Sequence, residues 1–166
     1  MNDYLIVPTE REQLVLKQLT VEDAPSYFGA VDASREHLSQ FGDETATKYP
    51  NLESVEESLK NPPDPSKLRF GIWDNDIFVG SINLKPDTEG TEIGYWLDSR
   101  HVGHGYATFA LKTIAHYATQ RFGKPHAWVT KGNDKSVAVM KRAGFVHTNT
   151  HDNKLIFELP VITKPV

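Results

Sequence analysis

Two glycines between a predicted strand and a predicted helix form the most informative chemical feature of the sequence. Residues 91–97 (TEIGYWL) are predicted to form a strand, the apolar positions from His104 to Arg121 recur at helical spacing, and Gly103 and Gly105 lie between the two elements. Glycine lets a backbone approach an anion closely, and the unpaired N–H groups of a helix's first turn attract phosphate. The segment is therefore predicted to bind a phosphate or pyrophosphate.

Two familiar phosphate-binding motifs do not fit this turn. A Gly-x-Gly-x-x-Gly dinucleotide motif would need a third small residue where Thr108 stands, and the Walker pattern is absent from the chain. A Gly-x-Gly turn is also common as plain chain geometry at a helix start, so the spacing alone leaves that alternative open.

Two pairs of histidines lie close enough in sequence to suggest a metal site. His101 and His104 border the glycine turn, and His147 and His151 fall across a predicted strand end and turn rather than on one helix face. Neither pair is accompanied by a Cys or by a Glu at metal-binding spacing. We therefore expect no metal.

The elements that position these residues are predicted in the order β-α-α-α-β-β-β-α-β-α-β-β, which is an α/β (α+β) fold with a mixed sheet and helices on its faces. The predicted strands are 13–18, 69–74, 77–85, 91–97, 126–131, 145–149 and 154–159, and the predicted helices begin at Thr20, near 34, near Leu52, at His104 and at Asp134. Trp73, Trp96 and Trp128 fall at inward strand positions, which predicts that they are buried.

Length and composition indicate one globular domain spanning residues 1–166. The chain has 18.7 kDa, 39% hydrophobic and 24% charged residues, which excludes fibrous and disordered classes. It contains no cysteine, which excludes disulfides and any acyl-cysteine intermediate. It shows neither a long apolar stretch nor a signal peptide, so we expect a cytoplasmic protein without a membrane partner.

Charge divides the chain into two halves. Residues 1–99 contain 8 Lys and Arg against 19 Asp and Glu, a net −11, and residues 100–166 contain 10 against 3, a net +7. An acidic half favours a cationic partner such as an amine, and a basic half favours a polyanion. An unevenly charged surface remains the alternative. Scattered basic residues do not predict direct nucleic-acid binding.

Residues Arg100–Gly105 fit the Q/R-x-x-G-x-G/A signature, and on this motif the chain resembles the GNAT superfamily of acyl-CoA-dependent N-acyltransferases. Residues 91–112 and 132–145 resemble its RimJ/RimL-type branch, which acetylates the N-termini of proteins, including ribosomal proteins. The resemblance is strong over 69–146 and weaker over the N-terminal helices, where 34–41 (SREHLSQF) is similar to the helix near the acceptor entrance.

The resemblance implies a GNAT fold with a mostly antiparallel sheet of six or seven strands, two of which splay apart at the acetyl-CoA site. The backbone amides of 102–107 would hold the CoA pyrophosphate, the strand end at 96–98 would lie beside the pantetheine, and a main-chain N–H near Leu97 would polarise the acetyl carbonyl. The implied cofactor-binding positions are Trp96, Leu97, Asp98, Arg100, Val102, Gly103, His104, Gly105, Tyr106, Ala107, Asn133 and Ser136.

The resemblance also implies direct transfer to an amine, for which we expect two catalytic residues. Glu92 is the candidate general base, with Asp98 as a weaker alternative, and an exposed strand carboxylate is the simpler interpretation of Glu92. Ser136 could protonate the departing thiolate, although Asn133 and Ser136 also suit helix caps. Many superfamily members use a Tyr on this helix, whereas this chain has Ala138–Met140 there.

The expected acceptor is a protein N-terminal α-amine. A small-molecule amine and a non-catalytic acyl-CoA-binding module stay open as alternatives, and an interaction domain without cofactor is disfavoured by the ordered motifs. The sequence leaves a homodimer open, with the tail 161–166 (VITKPV) either a dimer arm or a frayed end.

Overall fold

An eight-stranded, mostly antiparallel sheet forms the centre of the protein. The computed structural model describes residues 4–160. The strands are β1 (Ile6–Pro8), β2 (Leu14–Gln18), β3 (Leu68–Asp74), β4 (Ile77–Asp87), β5 (Gly90–Leu97), β6 (Pro125–Thr130), β7 (Val146–His151) and β8 (Lys154–Glu158). Their order in the sheet is β1-β2-β3-β4-β5-β6-β8-β7, and of these neighbours only β5 and β6 are parallel. The predicted fold class is confirmed, with eight strands rather than six or seven.

Helices cover both faces of the sheet, each over its own apolar cluster. The helices are α1 (Ala24–Ala33), α2 (Arg35–Ser39), α3 (Thr45–Lys48), α4 (Leu52–Lys60), α5 (Tyr106–Arg121) and α6 (Asp134–Arg142). On one face α5 and α6 bury Leu111, Ile114 and Met140 in the larger cluster. On the other, α1 and α4 bury Tyr27, Val31 and Val55 against Phe78 and Trp96. Each fully buried side chain of this size contributes roughly 1.5–3 kcal/mol, so both faces hold the sheet in place.

Local sequence signals account for several element boundaries. Asn75 turns between β3 and β4 with φ +53°, and Asp152 turns between β7 and β8 with φ +52°, a region that Asn and Asp tolerate. Before α1, the Thr20 N–H donates to Asp23 Oδ2 at 2.9 Å in the predicted capping box. The two predicted hairpins, β3–β4 and β7–β8, and the predicted capping box are therefore confirmed.

The structure differs from the sequence prediction in four places. β1 and α3 have only three and four residues, too few to show a period in the sequence. α5 begins at Tyr106 rather than His104, because Gly105 adopts a left-handed conformation at its N-cap. The predicted burial of Trp128 is wrong: 43% of the residue is exposed, because β6 has left β5 at this point, and Lys154 Nζ, 4.0 Å from the ring centroid, covers only part of the ring.

α5 makes the crossover that a parallel strand pair requires, joining β5 to β6. Among the helices of residues 4–160, none is both long and apolar enough to cross a bilayer. The tail 161–166, for which the sequence suggested a dimer arm or a frayed end, lies outside the described residues.

Candidate functional site

β5 and β6 separate after a short contact at one end. They pair only as Thr91 with Pro125 and Glu92 with His126. Beyond this contact β5 continues beside β4, whereas β6 continues beside β8. A strand-lined opening therefore lies between the second half of β5 and β6, where the sequence resemblance places splayed strands.

The main chain of β5 presents donors to this opening. The Thr91 N–H donates toward β6, to Lys124 O at 2.9 Å, and the Asp98 N–H donates toward β4, to Val79 O at 2.9 Å. Because N–H directions alternate along a strand and the β4–β5 register has no shift, every second N–H up to Leu97 points toward β6. Beyond the two paired positions, these groups face the opening, where a substrate amide chain can bond to them.

The glycine turn lies at the carboxyl end of β5 and starts α5. Gly103 has φ +85° and Gly105 has φ +79°, a conformation that costs other residues about 1–2 kcal/mol. A Cβ on Gly103 would meet nothing within 4 Å, so the conformation and not crowding requires glycine there. The first α5 bond runs from Phe109 N–H to Gly105 O at 3.1 Å, which leaves the N–H groups of 106–108 without a partner inside the helix. This helix end is suited to an anion.

Arg11 adds a positive charge beside the turn that the sequence did not reveal. Its Nη1 donates to the carbonyl oxygen of His104 at 2.9 Å, and its guanidinium lies 5.6 Å from the Tyr106 ring centroid. The Tyr106 hydroxyl in turn donates to Asp74 Oδ2 at 2.5 Å. Arg11 precedes the turn by 93 residues and belongs to no motif, so only the fold brings it to this site.

Asp98 connects β5 to the glycine turn through its side chain. The residue has no exposed surface, and its carboxylate accepts from the Arg100 N–H at 2.8 Å and from the Arg100 guanidinium at 2.7 Å. Burial acts to raise the pKa of Asp98, but the bonds and charge of Arg100 outweigh it and hold that pKa below its usual value. A paired carboxylate of low pKa is a poor proton acceptor, which favours Glu92 as the base.

We expect Asp98→Asn to destabilise the protein at neutral pH by about 1–3 kcal/mol, because a charged acceptor of several bonds becomes a neutral one. A lowered folded-state pKa means that the carboxylate stabilises the fold above its unfolded pKa and loses this effect as pH falls. Thermal unfolding between pH 3 and pH 7 should therefore show the two proteins converging in stability toward the acid end. A gap that stays constant with pH would contradict this role.

Ser136 and Asn133 lie at the start of α6, and Tyr95 joins them from β5. Asn133 Oδ1 accepts from the Ser136 N–H at 3.3 Å, so Asn133 does cap the helix as its residue type suggests. The Ser136 hydroxyl is 2.9 Å from the Tyr95 hydroxyl. Tyr95 is not among the residues predicted from the sequence, where the one available signal was its position in TEIGYWL, two residues before Leu97.

Glu92 is half-buried at the vertex where β5 and β6 part. It shares a sheet face with Trp96, four residues on, and Trp96 packs against Tyr27 of α1 with ring centroids 5.2 Å apart. Its register partners are Lys85 on β4 and His126 on β6. The carboxylate therefore lies on the α1 face of the sheet, with a cation on one side and a histidine on the other.

His126 also bonds to Asp87, with Nε2 and Oδ2 2.9 Å apart. The ligand atoms of Asp87, Glu92 and His126 lie within 4.8 Å of one another, the one such group of potential metal ligands within residues 4–160. This group includes none of the four histidines that the sequence analysis paired. One of them, His147, forms a hydrogen bond with Thr150 Oγ1 at 2.9 Å.

The segment after α2 reaches across to β6. The hydroxyl of Thr130, the last residue of β6, donates to the Phe41 carbonyl oxygen at 3.1 Å. Leu38 of α2 is buried in the apolar cluster that α1 and α4 form on their face of the sheet. Residues 34–41 therefore lie on the same face of the sheet as Glu92 and contact the end of β6.

Gly80 on β4 allows β4 and β5 to approach at the opening. A Cβ at Gly80 would overlap the Trp96 carbonyl oxygen and lie 3.0 Å from Leu97 Cα. We expect Gly80→Ala to lower the free energy of unfolding by about 1–3 kcal/mol, because the β5 backbone must shift. Gly29→Ala is the matched control, since a Cβ there meets nothing within 4 Å in the middle of α1. Urea unfolding of the wild type and of both variants tests this prediction. A Gly80→Ala variant as stable as Gly29→Ala would contradict it.

Comparison with known proteins shows which family of proteins this chain is similar to. The family model described as "Acetyltransferase (GNAT) domain" matches residues 13–146. The chain is 27% identical over 144 residues to the probable N-acetyltransferase YjcK of Bacillus subtilis (strain 168), covering 80% of each chain. It is 35% identical over 83 residues, 46% of each chain, to the ribosomal-protein-serine acetyltransferase of Escherichia coli (strain K12).

A solved structure with a similar fold is also named as a ribosomal-protein acetyltransferase. RimL, a ribosomal L7/L12 alpha-N-protein acetyltransferase in complex with coenzyme A, matches with a TM-score of 0.83 at 18% identity over 95% of this chain and 98% of that one. The predicted RimJ/RimL-type resemblance agrees with this fold. The comparisons support the enzyme rather than a non-catalytic module or a cofactor-free interaction domain, and acetyl-CoA is the cosubstrate that GNAT acetyltransferases use.

Proposed function

Because the chain belongs to the GNAT acetyltransferase family, we propose that it transfers the acetyl group of acetyl-CoA to a primary amine, most of all the N-terminal α-amine of a protein. One observation carries the proposal: the open backbone of β5 leads directly into the glycine turn at the N-terminus of α5. These two features bind the two ends of one elongated molecule, an amide arm and a pyrophosphate.

We assign the glycine turn to the CoA pyrophosphate. Free N–H groups and the positive end of the α5 dipole attract negative charge, and Arg11 adds a cation nearby. The N–H groups of β5 would pair with the pantetheine amides as a neighbouring strand would. The Leu97 N–H, on the same edge, would donate to the acetyl oxygen as negative charge develops on it.

Glu92 acts in this proposal as the general base. The amine nitrogen attacks the thioester carbonyl carbon, the new C–N bond forms, the C–S bond breaks, and the electron pair leaves on sulfur. Glu92 takes a proton from the acceptor nitrogen, directly or through water, and does so first from the ammonium form so that the neutral amine can attack, while the Ser136 hydroxyl donates a hydrogen bond to the departing sulfur. The chain contains no cysteine, so it has no thiol to carry the acetyl group between donor and acceptor.

The pKa of the acceptor favours an α-amine. A free α-amine has a pKa of about 7.7–8.0, whereas a lysine amine has one of about 10.4, so near neutrality only the α-amine has an appreciable uncharged fraction. The Escherichia coli relative is named for a ribosomal-protein serine and RimL for the α-amine of a ribosomal protein, which supports a ribosomal-protein N-terminus as the acceptor. We accordingly place the activity in the cytoplasm, where such proteins are made.

A thiol-release assay tests the proposed function. The protein is incubated with acetyl-CoA and, separately, N-terminal peptides, polyamines, aminoglycosides and free amino acids, and free CoA is measured with Ellman's reagent. The absence of cysteine gives a clean background. We expect release that depends on peptides with a free α-amine and stops when that amine is blocked. Release with small amines alone would replace the protein acceptor by a small-molecule one.

A further inference from the structure

We propose that Tyr95 is a positioning residue for acetyl transfer: its phenol donates a hydrogen bond to Ser136 Oγ and thereby directs the Ser136 hydroxyl proton at the departing sulfur. This inference rests on the proposed function and on the assignment of Ser136 to the leaving thiolate. It adds a residue on β5 to a role that the sequence motif gives to α6 alone.

The geometry fixes Ser136 from two directions. Its N–H is held by Asn133 Oδ1 at 3.3 Å, and its Oγ is held by the Tyr95 hydroxyl at 2.9 Å. Tyr95 belongs to β5 and Ser136 to α6, the first element after β6, so the bond joins an element on each side of the opening. Among the residues of α6 (DKSVAVMKR), Ser136 offers the one hydroxyl.

Chemistry sets the direction of this hydrogen bond. A phenol is a much stronger acid than an aliphatic alcohol, so Tyr95 is the favoured donor and Ser136 the acceptor. The Ser136 proton is then free to point elsewhere, and accepting one bond strengthens the bond that a hydroxyl donates. Burial raises the pKa of Tyr95, which keeps the phenol protonated and able to donate.

The proton count closes without a charged tyrosine. As the C–S bond breaks, the electron pair on sulfur accepts the hydrogen bond from Ser136, and the thiolate takes its proton from water after it leaves. Tyr95 keeps its own proton throughout. Tyr95 holds the Ser136 hydroxyl in one orientation before the C–S bond breaks. This lowers the barrier to the chemical step and leaves the affinity for acetyl-CoA unchanged.

A variant series separates this role from simple packing. Tyr95→Phe removes one oxygen and keeps the ring, Ser136→Ala removes the partner hydroxyl, and Ser136→Thr keeps a hydroxyl at the same position. Tyr117→Phe is the control, because it removes a tyrosine hydroxyl from α5 at a position outside the opening. For each, kcat and KM for acetyl-CoA are measured with an acceptor that the wild type uses, together with the melting temperature.

We expect Tyr95→Phe to lower kcat about 10-fold with KM for acetyl-CoA changed less than about 2-fold. Tyr117→Phe should leave both constants unchanged, and Ser136→Thr should retain more activity than Ser136→Ala. The double variant Tyr95→Phe/Ser136→Ala should be no slower than Ser136→Ala, because Tyr95 acts only through Ser136.

Three results would overturn the inference while leaving the proposed function intact: an unchanged kcat in Tyr95→Phe, losses from Tyr95→Phe and Ser136→Ala that multiply in the double variant, or a rise in the KM for acetyl-CoA as large as the fall in kcat. A kcat loss matched by an equal rise in KM would mean that Tyr95 supports binding instead. A wild-type protein that acetylates no amine would refute the proposed function itself.

Discussion

Replacing Glu92 by glutamine is expected to lower kcat by about 10²–10⁴-fold at pH 7 while the affinity for acetyl-CoA stays within about 2-fold of the wild type. Glutamine keeps the size of the side chain and its place beside Lys85 and His126 but cannot take a proton. Glu92 lies on the α1 face of the sheet, whereas the acetyl-CoA features are the β5 edge and the glycine turn. Loss of the carboxylate should therefore remove proton transfer and spare the donor site.

The pH dependence makes this prediction sharper. Above pH 8 an α-amine acceptor is already mostly uncharged, so the deficit of Glu92→Gln should shrink between pH 7 and pH 9. Glu89→Gln is the control, because it removes an exposed carboxylate from the nearby β4–β5 turn. Steady-state kinetics and calorimetric titration with acetyl-CoA measure the two quantities; equal losses in turnover and affinity would remove Glu92 from the role of base.

Gly105→Val should weaken acetyl-CoA binding by about 10- to 100-fold. Gly105 has φ +79° at the N-cap of α5, a conformation that a β-branched residue adopts only with strain of about 1–2 kcal/mol or more. Relief of this strain would turn the N–H groups of 106–108 away from their common direction. Because those groups are assigned to the pyrophosphate, the affinity for the donor falls, and kcat at saturating acetyl-CoA changes less.

Gly42→Val provides a matched control for this substitution. Gly42 has the same φ of +79°, and a Cβ there meets nothing within 4 Å, but it lies between α2 and α3 rather than at the glycine turn. Both variants should lose similar thermal stability, and only Gly105→Val should lose affinity for acetyl-CoA in calorimetric titration. Equal affinities in the two variants would mean that the glycine turn does not bind the pyrophosphate.

Local sequence signals predicted most of the architecture because they act over a few residues. Alternation predicted β2, and the two strand-like runs on either side of Asn75 predicted the β3–β4 hairpin with its tight turn, whereas α5 begins at Tyr106, two residues after its predicted start at His104. β1 has three residues and gains its stability by pairing with β2, so no local period announces it. Trp128 followed the alternation of a buried strand, and its exposure depends on where β6 parts from β5.

Several contacts of the candidate site depend on residues far apart in sequence. Tyr95 and Ser136 are 41 residues apart, and Arg11 reaches His104 across 93. Asp98 and Arg100 are neighbours in sequence, but the full burial that commits Asp98 to this pair follows from packing around the end of β5. The sequence motif therefore predicted the main-chain groups of the candidate site, whereas the contacts among the surrounding side chains depend on the fold.

The most direct test is to locate the transferred acetyl group. A peptide library that presents every N-terminal residue, each peptide carrying one internal lysine, is incubated with acetyl-CoA and the protein, and fragmentation mass spectrometry assigns the modified nitrogen. We expect acetylation of the α-amine in a subset of peptides, with the lysine side chains and the enzyme itself unmodified. Acetylation of lysine side chains, or no acetylated peptide at all, would contradict the proposed N-terminal transfer.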